Sequence, residues 1–213
     1  MDVNGLLQFG LLAFGSLFVI VDPLATAPAF LAMTPSDSPR ERIRMARLAC
    51  LITAGVLLLF SVTGTMLFRV FSITLPAFQI AASIVLLLVA LDMLRAQRSR
   101  VHETGEETAA GTAKDDIAVT PLAIPMLAGP GAISTVIVLE HQAQDWARRG
   151  ILWACIVGVA LASYAVLHFA ARGMRWLSPI ALKIASRIMG LLLAAVAMQF
   201  LLNALSDLHL IRP

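Results

Sequence analysis

Asp22 is the one acidic residue deep within an apolar run of this chain, and Pro23 follows it directly. If that run crosses a bilayer, an ionised aspartate at mid-depth costs about 2.5–3.5 kcal/mol on insertion scales, so it must face the protein interior. Two compatible roles follow. The carboxylate can hold a cation or carry a proton, or it can cap a helix that starts at Pro23 by accepting its first N–H groups.

The residues around it recur. Asp22-Pro23-Leu24-Ala25-Thr26-Ala27-Pro28-Ala29 and Ile124-Pro125-Met126-Leu127-Ala128-Gly129-Pro130-Gly131 both read proline, four residues, proline, small residue. A proline lacks an N–H and clashes with the carbonyl one turn back, so each frees backbone groups. Lipid cannot satisfy these, and they must meet protein, water or a ligand. A half-helix starting there also presents free N–H groups with a partial positive charge. Kinking alone is the plainer reading of one such motif; two matched motifs favour a shared binding site.

Thr26, Ser134 and Thr135 lie in or just after the motifs and can either line a polar site or bond back to their own helices. Gln79, Gln199 and Asn203 divide in the same way, between hydrogen bonds to other helices and bonds within their own. Arg187 either snorkels to a membrane surface or points inward as a counter-charge to Asp22 or a substrate carboxylate. Asp92 and Arg95, spaced i, i+3, read as a local ion pair. His168 reads as interfacial, and Cys50 and Cys155 as buried thiols. No nucleotide loop, HExxH pair, GxSxG elbow or clustered metal ligand occurs. With one acid at depth, catalysis is not expected; neither is any cofactor beyond a coupling ion, Na⁺ or H⁺.

The elements that position these residues follow from composition. Of 213 residues, 59% are hydrophobic and 14% charged. A soluble domain carries about 25% charged residues, so too few polar side chains exist to cover a water-facing surface. Lipid is the solvent for much of the chain. Six apolar segments stand out: Leu6–Met33, Leu48–Phe68, Leu75–Leu94, Ile117–Leu139, Ile151–Ala171 and Ile184–Leu205. The first would make a straight helix of about 42 Å against about 30 Å of hydrocarbon, so it must tilt or break. Asp22-Pro23 supplies the break.

Arginine and lysine set the orientation. Arg40, Arg42, Arg44 and Arg47, then Arg95, Arg98, Arg100 and Lys114, then Arg172, Arg175, Lys183 and Arg187 all fall on one side. Arg69, Arg148, Arg149 and Arg212 fall on the other. The positive-inside rule places the first side in the cytoplasm and both termini outside. The same distribution, with basic residues between apolar runs, excludes nucleic acid as the partner. Residues 1–95 form a first three-helix half, 96–116 a polar flexible linker and 117–213 a second half. Three helices is an odd number, so the second half enters from the opposite face. Inverted repeats with paired proline- or glycine-broken segments mark a transporter site near the midplane. The expected fold is therefore all-α, six transmembrane helices in two inverted three-helix repeats, with helices 1 and 4 broken at the Pro-x4-Pro motifs.

At these residues the chain resembles the MarC family, which includes proteins described as neutral amino acid transporters. The resemblance covers nearly the whole chain. It is carried by Asp22-Pro23-Leu24, Ile73-Thr74-Leu75-Pro76 through Ile80-Ala81, Pro121-Leu122-Ala123-Ile124-Pro125 through Ala128-Gly129-Pro130-Gly131, Ser186-Arg187-Ile188-Met189-Gly190 and Gln199-Phe200. It implies a multi-pass protein of the bacterial inner membrane, related to LysE-type exporters, with Asn or Asp at the position of Asp22. It also implies transport of small neutral amino acids such as glycine or alanine, coupled to an ion gradient.

The resulting expectation is a secondary transporter working by alternating access. Its site would draw on Asp22, Pro23, Thr26, Pro28, Pro125, Gly129, Pro130, Gly131, Ser134, Arg187 and Gln199. The partners are a small solute and the lipid bilayer, with a homo-oligomer as a further candidate. The rival readings are a channel or exporter for another small solute, and a non-transporting membrane scaffold.

Overall fold

The computed structural model describes residues 3–94, 117–143, 145–173 and 179–208. Among them the chain is all-α, with seven helices and no strand. They are α1 Val3–Val21, α2 Pro23–Met33, α3 Pro39–Val70, α4 Leu75–Leu94, α5 Pro130–Gln142, α6 Trp146–Ala171 and α7 Pro179–Asp207. An irregular coil, Ala118–Leu127, precedes α5. The 96–116 linker and Arg95 lie outside the described residues, as do the side chains of Asp92 and Pro125.

By length and composition, four spans among the described residues are apolar enough to cross a membrane: Asn4–Met33, Pro39–Gly64, Trp146–Ala171 and Arg187–Asp207. A shorter apolar helix, Leu75–Leu91, accompanies them. The surface confirms lipid as the solvent. Leu11, Leu51 and Leu161 are each more than 60% exposed, which water would penalise.

The first span breaks where expected. Asp22 adopts a left-handed conformation (φ 42°, ψ 67°), which a short polar side chain tolerates best after glycine. Pro23 then takes the first position of α2, where its missing N–H costs nothing. Pro28, in contrast, sits inside a continuous α2 and does not break it. The expected break at both prolines is corrected to one, because a lone interior proline removes only one hydrogen bond while its φ still suits a helix.

In the coil the prolines act on their neighbours. Thr120 (φ −130°, ψ 121°) and Ile124 (φ −128°, ψ 121°) are extended. Each precedes a proline, whose ring excludes the helical region for the residue before it. The bonds Leu122 N–H to Ile117 C=O and Ala128 N–H to Ala123 C=O span five residues around each extended unit. A regular helix resumes only at Pro130. The two half-helices thus begin at Pro23 and Pro130, the first proline of one motif and the second of the other.

Helix α3 starts nine residues before its apolar segment, through a capping box in which Ser38 N–H donates to Glu41 Oε2 (2.8 Å) and Glu41 N–H to Ser38 Oγ (3.3 Å). Its 32 residues rise about 48 Å, so the arginine-bearing end stands clear of the hydrocarbon.

Helix α3 packs on α6, and α4 on α7. Helices α1 and α2 lie against both α6 and α7, while the coil and α5 lie against α3, and α5 also meets α4 and α1. Small residues permit the closest crossings: a Cβ on Gly64 would fall 2.6 Å from Ile137 Cγ1, and one on Gly158 3.4 Å from Phe14 Cε2. One polar tie joins α3 to α6, with Trp153 Nε1–H donating to Ser61 Oγ at 3.1 Å. Such bonds average about 0.6 kcal/mol in membranes, so Trp153→Phe should lower the unfolding temperature of the purified protein by only a few degrees. A loss above about 2 kcal/mol would show that the ring's packing, not its N–H, carries the contact.

Candidate functional site

Two helix ends that approach each other inside the protein carry the candidate site residues. At the first, Asp22 N–H completes α1 on Phe18 C=O (3.0 Å), and Asp22 C=O accepts Thr26 N–H (3.1 Å) to begin α2. The carbonyls of Val19, Ile20 and Val21 are left without partners within α1. All three residues are buried. Asp22 itself is buried; its Oδ1 accepts Ala25 N–H at 3.1 Å, and its Oδ2 is enclosed with no hydrogen-bond partner. The capping role read from the sequence is therefore present, and half of the carboxylate remains unused. The start of α2 is neutralised by its own aspartate and is a poor place for an anion.

The second end is the reverse. Gly129 (φ −73°, ψ 170°) precedes α5 and supplies no side-chain cap. The first bond of the helix is Ile133 N–H to Gly129 C=O (3.1 Å), so the N–H groups of Gly131 and Ala132 have no partner from the helix itself. Uncapped N–H groups with the positive end of a helix dipole behind them are suited to a carboxylate. This turn lies against the end of α1: a Cβ on Gly131 would be 3.4 Å from Ile20 Cγ2 and 2.6 Å from Leu86 Cδ2. The close approach that Gly131 allows is thus of protein on protein. A negative helix end carrying Asp22 and a positive helix end without a cap stand side by side.

The hydroxyls bond back to their own helices. Thr26 Oγ1–H donates to Asp22 C=O (3.0 Å), Ser134 Oγ–H to Pro130 C=O (2.7 Å) and Thr135 Oγ1–H to Gly131 C=O (2.9 Å). Gln199 Nε2–H donates to Asn203 Oδ1 at 2.8 Å within α7, the local one of its two readings. Arg187 is exposed on α7 and Pro28 is exposed on α2. Gln79 is buried on α4 with Oε1 unpartnered. His168 is half-buried, its ring against Tyr164 and Phe169. Among the described residues no group of three metal-binding side chains occurs.

Two contacts were not anticipated. Arg42 on α3 donates through Nε (3.0 Å) and Nη2 to Thr34 C=O, and through Nη2 to Pro35 C=O (3.3 Å), at the end of α2. Arg149 on α6 pairs with the buried Glu140 in the last turn of α5, Nε to Oε1 at 3.0 Å. Glu140 stands directly after the fourth apolar segment, and the arginines at positions 148 and 149 were the available signal.

A model of the family described as MarC family integral membrane protein matches residues 7–209. The chain is 34% identical over 200 residues to a UPF0056 membrane protein of Methanocaldococcus jannaschii, covering 93% of this chain and 97% of the relative. It is 32% identical over 212 residues to one of Aquifex aeolicus, covering 98% and 99%. It is also 32% identical over 185 residues to the UPF0056 membrane protein YvbG of Bacillus subtilis, covering 86% and 88%. No solved structure matches.

Proposed function

Because the chain belongs to the MarC family of integral membrane proteins, we propose that it is a secondary transporter of a small zwitterionic solute, glycine or alanine in type, working by alternating access. The observation that carries this reading is the pair of opposed helix ends: a half-used buried carboxylate at Asp22 beside the uncapped start of α5. The ammonium group goes to Asp22 Oδ2 and the free carbonyls of α1. The carboxylate goes to the N–H groups of Gly131 and Ala132. A coupling Na⁺ or H⁺ is assigned to the same aspartate, and no catalytic step is involved.

Packing supports the two-half, six-span arrangement behind alternating access. Let the first half be α1 with α2, α3 and α4, and the second the coil with α5, α6 and α7. Exchanging them carries the α3–α6 and α4–α7 contacts onto themselves. It also carries the first broken span on α6 onto the second on α3, and the first on α7 onto the second on α4. The third helix of each half repeats as well, Ile80-Ala81-Ala82-Ser83-Ile84 against Ile184-Ala185-Ser186-Arg187-Ile188. The arginine bias supports an orientation with both termini outside the inner membrane.

The test is counterflow. Purified protein in liposomes loaded with unlabelled alanine should accumulate labelled alanine or glycine transiently, and a Na⁺ or H⁺ gradient should shift the steady level. Flux that rises linearly with concentration, without counterflow, would identify a channel; no flux of any small amino acid would remove the transporter reading.

A further inference from the structure

The geometry points to Arg42 and Arg149 as equivalent positioning residues, each tethering the C-terminal end of one half-helix to the helix that follows it. The pairing rests on the two-half reading above and extends it to how the site is held.

Equivalence comes from register. The half-helices start at Pro23 and Pro130, and the next helices at Pro39 and Trp146; 130 − 23 and 146 − 39 both equal 107. The caps of those next helices are Ser38 and Asp145, and 145 − 38 is again 107. Arg42 and Arg149 are each the fourth residue of their helix, and 149 − 42 is 107 too. Each reaches back across the short connection to the same place, the last turn of the half-helix or the residues just after it.

The chemistry suits that place. A helix C-terminus carries unpaired carbonyls and a partial negative charge, and a guanidinium meets both with several fixed donors. Arg42 binds the carbonyls of Thr34 and Pro35 directly. On α5 the negative end is made worse by Glu140, a buried carboxylate in the last turn, and Arg149 is placed to offset it. Helices α5 and α6 approach each other over few residues, and this ion pair lies between them. A half-helix of 11 or 13 residues is marginal on its own; fixing its far end fixes where its start points, and the starts form the site.

The experiment uses full-length protein in liposomes, with Cys50→Ala and Cys155→Ala and one reporter cysteine at a time. Thr34→Cys reports the first tether and Ala143→Cys the second; both positions are 1% exposed or less. Arg42→Met should raise thiol labelling at position 34 about tenfold and leave 143 unchanged; Arg149→Met should do the reverse. The exchange Glu140→Arg with Arg149→Glu should restore slow labelling at 143, a rescue that general loosening would not give. Should a methionine variant fail to fold, Arg42→Lys and Glu140→Gln should each open the local reporter several-fold. Either variant opening both reporters together, or none opening its own, overturns the tethers. Labelling needs no transport, so a protein inert in the flux assay still gives a result. A membrane-impermeant reagent reaching both reporters from one face would sink the inverted arrangement while the pairwise comparison still decides the tethers.

Discussion

Replacing Asp22 with alanine is expected to abolish measurable counterflow and to lower stability by about 2–3 kcal/mol, a lost helix cap together with a left-handed backbone that alanine tolerates poorly. The two effects have separate origins in the two carboxylate oxygens. Oδ1 accepts Ala25 N–H and so belongs to the fold; Oδ2 is enclosed without a partner and is the atom that the transporter reading assigns to the substrate. A charge-assisted hydrogen bond to a substrate ammonium contributes about 1.5–3 kcal/mol, or roughly 10–100-fold in affinity. Asparagine separates the terms. Its side-chain oxygen caps as well as that of aspartate, so Asp22→Asn should unfold near the parent temperature. It keeps a neutral acceptor but loses the charge, so half-saturation for alanine should rise about tenfold and coupling to an ion gradient should fall. Isothermal calorimetry and flux on both variants provide the check. If asparagine left affinity and coupling untouched, Asp22 would be a cap only.

That division shows what the sequence could and could not reveal. The break at Asp22-Pro23 was legible because aspartate and proline each have one strong local preference, and both point to a helix start. The break before α5 was legible in position but not in form. Its prolines act on Thr120 and Ile124, the residues ahead of them, so disorder of the helix spreads back from the motif instead of starting within it. Pro28 misled for the converse reason, since a proline does not break a helix whose other bonds and packing persist. The hydroxyls of Thr26, Ser134 and Thr135 looked like site groups, yet each has a carbonyl of its own helix within reach. Local competition of that kind is invisible to spacing. The arginine tethers depend on a chain reversal bringing position 42 to 34 and 149 to 140; the sequence shows the charges, and the folded backbone discloses the reversal.

The larger structural effect is expected at Gly131, where the site and the packing coincide. The space a side chain would need is already taken: Leu86 Cδ2 lies 2.6 Å from the Cβ position, and Leu86 is 1% exposed with little room to retreat. Alanine there should cost about 1–3 kcal/mol by overpacking. Leucine cannot be absorbed by a rotamer change and must push α5 away from α4 and α1. That displacement would carry the N–H groups of Gly131 and Ala132 off the end of α1, so Gly131→Leu should eliminate transport even in the fraction that folds. Lost activity alone would not separate displacement from unfolding, so the deciding variant is the pair Gly131→Ala with Leu86→Ala. Removing the Leu86 branch creates the volume the new methyl needs, and the pair should be more stable than the sum of the single losses by about 1 kcal/mol or more. Because the added methyl then fills space vacated by Leu86, alanine flux in the pair should recover toward the parent level. Additive losses with no recovered flux would mean that Gly131 serves something other than close packing, and the helix end it opens would need a different occupant from Leu86.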